Sequence, residues 1–250
     1  MAADSPLALN GPVSPNHGVR FAAVHSIILH YTGMETAAGA LAWLCNPASE
    51  VSSHYFIEED GTIRQLVPES RRAWHAGNSF WAGETDLNSR SIGIEIVNPG
   101  HLTDCPPFAP AQIASVIALC RDIGTRHSIA PQNILAHSDI APARKRDPGE
   151  AFPWGQLHAA GIGHYVPPAP LQGGGFLQIG DSGEAVEALQ KMLALYGYGI
   201  IAHGQYDAET EAVVRAFQRH FRPARVDGIA DASTLATLHQ LLRSLPKLRA

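Results

Sequence analysis

The chain contains no apolar run approaching the ~20 residues needed to cross a bilayer, so a membrane-spanning helix is excluded. It also lacks a basic excess. Its 18 Lys+Arg against 23 Asp+Glu give a net charge of −5, whereas a general nucleic-acid binder needs a positive footprint to meet phosphates. Cysteine is scarce: Cys45, Cys105 and Cys120 are an odd number at wide spacing, which fits reduced thiols better than a disulfide framework. The opening residues, MAADSPLALN, show neither the basic start nor the apolar stretch of a conventional secretory leader. There is no HExxH helix, GxSxG elbow, Walker loop or GxGxxG behind a strand, so the common zinc peptidase, hydrolase and nucleotide-binding signatures are missing.

What is present supports a folded protein. Hydrophobic residues make up 45% of the 250 residues and charged ones 16%, enough for a packed core in one large domain or two smaller ones. The segment 163–175, GHYVPPAPLQGGG, is stiffened by Pro167, Pro168 and Pro170 and loosened by three glycines, as a linker would be. It separates an expected first domain, 1–162, from a second, 176–250. Histidine is abundant, with 13 copies.

The first domain alternates strand and helix signals. SIILHY at 26–31 is a short, β-branched, buried-strand pattern, and 36–45 suits a helix. Segments 52–57 and 62–67 flank the turn pair Asp60-Gly61 and predict a hairpin. SIGIEIVN at 91–98 reads as a strand with Ile92, Ile94 and Ile96 on one face and Gly93, Glu95 and Val97 on the other. Residues 110–127 carry Ile113, Val116, Ile117, Cys120 and Ile123 at helical spacing, and 133–137 is a short apolar segment leading into a polar loop. The fold class expected is α/β, a mixed central sheet flanked by helices, with a small C-terminal three-helix domain. In that tail, Asp181 with Glu184, Asp207 and Asp231 are candidate helix caps.

Two histidines stand apart. His30 ends a buried strand, and His137 opens the loop HSDIAPARKRDPG, which concentrates Asp139, Lys145 and Asp147. Two histidines and one carboxylate are the three protein ligands of a catalytic zinc. Spacing does not choose between Asp139 and Asp147. Glu95 is either on a solvated edge strand or faces a cleft, with Gly93 making room; a desolvated carboxyl there would suit general acid/base work. His54 looks like a decoy beside the turn, and His17, His127, His158, His164, His203, His220 and His239 read as loop or helix-surface residues.

Taken together, ILHYT at 28–32, VSSHYFIEEDG at 51–61, RAWHAG at 72–77, SIGIEIVN at 91–98 and HSDIAPARKRDPG at 137–149 resemble the zinc-dependent N-acetylmuramoyl-L-alanine amidase family, in its AmpD/AmiD-like branch. The resemblance implies Zn2+ held by His30, His137 and Asp147, the last being the acid two positions after the catalytic Lys145. It implies Glu95 as general base. The phage-lysozyme branch of the family uses a tyrosine instead, at a position that here reads Ser53. Arg72, Trp74, His75 and Asn88 match positions around the substrate groove. Residues 176–245 resemble a three-helix peptidoglycan-binding domain.

The implied activity is hydrolysis of the amide between N-acetylmuramic acid, or its 1,6-anhydro form, and L-alanine during wall recycling or turnover. The alternative is non-catalytic muropeptide recognition. The expected partners are peptidoglycan fragments, the expected state a monomer, and the expected location the cytoplasm, with the periplasm or cell envelope as the alternative.

Overall fold

The computed structural model describes residues 2–171 and 173–245; Met1, Gln172 and residues 246–250, which fall in the expected first domain, linker and tail, lie outside the described residues. The elements in order are β1 (Leu9–Asn10), β2 (His17–Val19), β3 (Ser26–Tyr31), α1 (Ala37–Leu44), β4 (Tyr55–Ile57), β5 (Ile63–Gln65), β6 (Arg71–Ala73), α2 (Leu87–Arg90), β7 (Ser91–Ile96), α3 (Pro110–Arg126), β8 (Ile134–Ala136), α4 (His137–Ile140), α5 (Trp154–Ala159), α6 (Glu184–Tyr196), α7 (Ala208–Phe221) and α8 (Ala232–Ser244).

Six strands form a mixed sheet in the order β1-β5-β4-β7-β3-β8. Its centre is parallel, β4 to β7 to β3 to β8, while β4 and β5 pair antiparallel around the Asp60-Gly61 turn. Central parallel strands are buried on both faces, which explains the nearly unbroken apolar run of SIILHY. One face of the sheet, through Ile27, Leu29, Ile92, Ile94 and Ile96, packs on Ile113, Val116, Leu119, Cys120 and Ile123 of α3. A separate ribbon pairs β2 with β6 antiparallel. Its HGV and RRA segments are too short and polar to announce themselves as strands.

The opposite face is covered by two things. α1 packs Ala40 and Leu44 over Phe56, Leu66 and Val97. Beyond it, Ile28, Leu135, Ile140, Trp81 and Leu87 join one apolar cluster with Val186, Leu193, Tyr196, Val213 and Phe217 of the C-terminal helices. Trp81 meets the rings of Tyr196 and Tyr198 edge-on at 5.9 and 5.1 Å. The three tail helices are thus docked on the sheet face. Asp207 and Asp231 cap α7 and α8 by accepting the N–H of Thr210 and Thr234. Asp181 differs from the sequence expectation: α6 starts from Gly183 without a side-chain cap, and Asp181 turns back to accept the Gln178 N–H at 2.8 Å.

His54 is fully buried in this framework. Its Nδ1 accepts the Gly93 N–H at 2.9 Å, while its Nε2 lies 2.8 Å from Arg20 Nη2 and 3.1 Å from the Arg71 carbonyl. Burial, reinforced by the Arg20 guanidinium, pushes its pKa down to about 3. An unfolded imidazole titrates near ~6.5. Below that pH the unfolded chain binds a proton the folded chain refuses, so this group's contribution to stability falls as pH drops from ~6.5 toward 3. The stability advantage of the wild-type chain over His54→Gln, read as urea midpoints, is expected to shrink by about 2 kcal/mol between about pH 7 and about pH 4.5. An advantage that stays constant with pH would contradict a neutral, buried His54.

Candidate active site

β3 and β7 run parallel with His30 opposite Glu95 in register, and residues level with one another on neighbouring strands rise on the same face. β8, on the other side of β3, delivers His137 as the first residue of α4. Where the sequence suggests only a polar loop after His137, the chain makes this short helical turn. The Ser138 N–H then donates to the Asp147 carbonyl at 3.0 Å, which folds the following loop back on the turn.

The result is a tight convergence. His30 Nδ1, His137 Nδ1 and Asp147 Oδ2 each lie 2.9 Å from the other two. All three side chains are buried, and together they form a group able to hold a metal ion. Asp139 takes no part: it faces away, and its oxygens accept from Ala136 N–H, Tyr198 Oη and His220 Nδ1 at 2.7–2.8 Å. His220 is therefore not the surface residue its place in an amphipathic helix suggests; it is 3% exposed and bonded across the domain contact.

Hydrogen bonds behind the histidines decide which nitrogen each presents. The Ser91 hydroxyl donates to the Leu87 carbonyl, which leaves its oxygen to accept from His75 Nε2 at 3.4 Å. His75 Nδ1 is then an acceptor, 3.1 Å from His30 Nε2. The one proton of neutral His30 sits on Nε2, and its Nδ1 lone pair faces the cluster. His137 repeats the arrangement by donating from Nε2 to the Ala76 carbonyl at 3.2 Å. This is how metal-binding histidines are held by groups behind them. Burial and the neighbouring His137 push the His30 pKa down to about 4, keeping the ring neutral near pH 7. Asp147 is buried against both rings, its Oδ2 facing the two Nδ1 atoms.

Glu95 stands on the same face. Burial, and then the charge of Asp147, push its pKa well above the ordinary carboxyl value, while Lys145 pulls the other way. Its Oε2 is buried without a hydrogen-bond partner. Gly93 does not make room for substrate: a Cβ there would come within 2.4 Å of the His75 ring, so the glycine is needed for His75 to lie behind His30.

A cavity of about 470 Å³ opens over these groups. Trp43 and Trp74 wall it, and Arg144, Lys145 and Arg146 form a cationic side. Of the groove residues matched in the sequence, Trp74 lines the cavity and His75 reaches it from behind His30. Arg72 is forked onto Asp86 at 2.9 and 3.2 Å, and Asn88 Oδ1 accepts the N–H groups of His75 and Ala76 at 2.9 and 2.8 Å. Neither Arg72 nor Asn88 is among the cavity's lining residues. Trp43 escapes sequence reading because a tryptophan in TAAGALAWLC looks like core; its 49% exposure beside the cavity is the only signal.

A second cluster, His101, Cys105 and Glu150, also has metal-ligand chemistry. Its His101 Nε2 already faces the Glu150 carboxylate at 3.2 Å, and Arg219 Nε stands 3.8 Å from the same carboxylate. His101 Nδ1 also meets the Tyr31 hydroxyl at 2.9 Å, so the cluster reads as a polar network between the two halves of the chain.

Comparison with known proteins accords with this geometry. A family model described as N-acetylmuramoyl-L-alanine amidase matches residues 20–150, and one for a peptidoglycan binding domain matches residues 182–238. The N-acetylmuramoyl-L-alanine amidase AmiD of Escherichia coli (strain K12) is 41% identical over 231 residues, 86% of this chain and 81% of AmiD. The solved structure of E. coli AmiD with anhydro-N-acetylmuramic acid-L-Ala-D-gamma-Glu-L-Lys is similar at a TM-score of 0.76 and 38% identity, over 93% of this chain and 91% of that one. AmpDh3 of Pseudomonas aeruginosa, solved with anhydromuramic pentapeptide, is similar at a TM-score of 0.71 and 32% identity, over 98% of this chain and 99% of that one. The chain belongs to the N-acetylmuramoyl-L-alanine amidase family.

Proposed function

We propose that the chain hydrolyses the amide bond joining the lactyl group of N-acetylmuramic acid, or its 1,6-anhydro form, to L-alanine of a stem peptide, using a zinc ion held by His30, His137 and Asp147. The observation that carries this reading is the triangle of ligand atoms 2.9 Å apart beside a buried, unpartnered Glu95 oxygen. The donor set fits zinc: two neutral imidazole nitrogens and one carboxylate, with both imidazoles hydrogen-bonded from behind. Bound zinc supplies Lewis acidity toward the scissile carbonyl and toward water.

The chain's own groups do the rest. Glu95 Oε2, with no competing partner, takes a proton from the attacking water and gives it to the alanine nitrogen as the C–N bond breaks. The products are a lactyl carboxylate and a stem peptide with a free amine. Lys145 places a fixed positive charge beside the oxygen that becomes negative in the transition state. Trp74 and Trp43 offer apolar faces to the sugar and peptide, while His75 and Asn88 hold the wall from behind, and Arg72 braces it through Asp86. The anhydro sugars bound by AmiD and AmpDh3 support soluble muropeptides as substrates, and the match at residues 182–238 supports contact with the wall polymer.

Glu95→Gln is expected to bind zinc as the wild type does while kcat falls by about 10²–10⁴-fold. Mass spectrometry of muropeptide digests checks the turnover, and undiminished release of free stem peptide by this variant would remove Glu95 from the mechanism. Stripping the metal with a chelator is expected to abolish release, and equimolar zinc to restore it. Unchanged release by metal-free protein would refute the assignment of His30, His137 and Asp147.

A further inference from the structure

The buried carboxylate of Asp139 joins the two halves of the chain at the turn that carries His137. It is 0% exposed. Oδ2 accepts the Ala136 N–H at 2.8 Å, the backbone group immediately before His137, so the carboxylate closes the first turn of α4. Two further donors come from the C-terminal domain: Tyr198 Oη donates to Oδ1 at 2.8 Å, and His220 Nδ1 to Oδ2 at 2.7 Å. His220 is itself clamped, with its ring stacked on Trp154 at 3.7 Å. Tyr198 is 1% exposed and packs against Trp81. One carboxylate therefore fixes the peptide before His137 on one side and is fixed by two C-terminal side chains on the other.

We infer that Tyr198 and His220 are positioning residues for the metal ligand His137, acting through Asp139, and that the C-terminal domain is in this way a structural part of the metal site. The inference rests on the zinc reading proposed above and adds to it a task for the helical domain other than holding the wall. The physical reason is economy of freedom. His137 is the first residue of a helical turn only four residues long, which has little stability of its own. Its Nδ1 must be held near Asp147 and His30, and its Nε2 on the Ala76 carbonyl. A carboxylate free to rotate could leave the Ala136 N–H for water, and the turn would loosen. With both oxygens engaged by buried donors, it has one orientation.

The test compares four full-length variants, loaded with zinc and kept below the onset of unfolding. Tyr198→Phe and His220→Leu each remove one donor to Asp139. His220→Asn keeps a side-chain N–H in place of Nδ1. Tyr196→Phe removes the 2.9 Å bond between Tyr196 Oη of α6 and His164 Nδ1 of the linker, and does not touch Asp139. Zinc affinity is read by competition with a chromophoric chelator, alongside kcat and KM on a soluble anhydro-muropeptide and the unfolding midpoint.

Tyr198→Phe and His220→Leu are expected to weaken zinc binding by about 3-fold or more, the scale of coupling through intermediate residues, and to lower kcat more than they raise KM. His220→Asn is expected to recover most of the affinity. Tyr196→Phe is expected to lower the unfolding midpoint with zinc affinity unchanged. Wild-type affinity in both Tyr198→Phe and His220→Leu, or an equal loss in Tyr196→Phe, would overturn the inference while leaving the zinc site standing. A wild-type chain that takes up no zinc would overturn both.

Discussion

A neutral imidazole has one proton, and where that proton goes in His30 and His137 governs the rest of this site. Each ring donates from Nε2 to a fixed acceptor, His75 Nδ1 for one and the Ala76 carbonyl for the other, and so turns an Nδ1 lone pair toward Asp147. The requirement propagates outward. His75 Nδ1 accepts because the Ser91 hydroxyl donates to the Leu87 carbonyl, leaving the hydroxyl oxygen to accept from His75 Nε2–H. The His75 ring can lie there only because residue 93 has no side chain. The 75–76 backbone stays in place because Asn88 accepts both of its N–H groups. The 75–76 segment, α2 and the start of β7 are together one support for two lone pairs.

The sheet supplies the distances. Parallel pairing of β3 with β7 puts His30 level with Glu95, and pairing of β3 with β8 starts the His137 turn beside them. One face of the sheet is committed to α3, so the chemistry sits on the other, beside α1, whose Ala40, Trp43 and Leu44 line the cavity. A buried carboxyl with an unpartnered oxygen costs stability. In Glu95 that cost is placed where a proton has to be taken up and released, and the shift in its pKa has the sign that role needs.

Much of this was legible in the residues. The strands at 26–31 and 91–96, the hairpin around Asp60-Gly61 and the long helix from 110 all follow from period and turn chemistry. His30 and His137 at the ends of apolar segments, and Glu95 among isoleucines, were conspicuous for the same reason: polar groups in buried runs need partners. What sequence could not supply was direction. Spacing could not choose between Asp139 and Asp147, eight positions apart; the family resemblance pointed to Asp147, and the folded chain turns Asp139 to the C-terminal helices and Asp147 to the histidines. His220 lies in an amphipathic helix whose second contact surface is a different domain, so its burial has no local signature. The same blindness applies to Tyr198 and Trp43, whose environments are made by chain far away. The cap at Asp181 failed because a glycine with positive φ, Gly183, begins α6 and lets the preceding turn close on itself.

The central claim is that both histidines bind one zinc ion through Nδ1, with Asp147 completing the protein ligands. The most direct measurement is a crystal structure of the zinc-loaded chain with anomalous data collected at the zinc edge. The account predicts a strong peak bonded to Nδ1 of His30, Nδ1 of His137 and the Asp147 carboxylate at about 2.0–2.2 Å, with His75 and the Ala76 carbonyl still on the Nε2 side. Coordination through either Nε2, or a zinc peak at His101, Cys105 and Glu150 with none at His30, would contradict it.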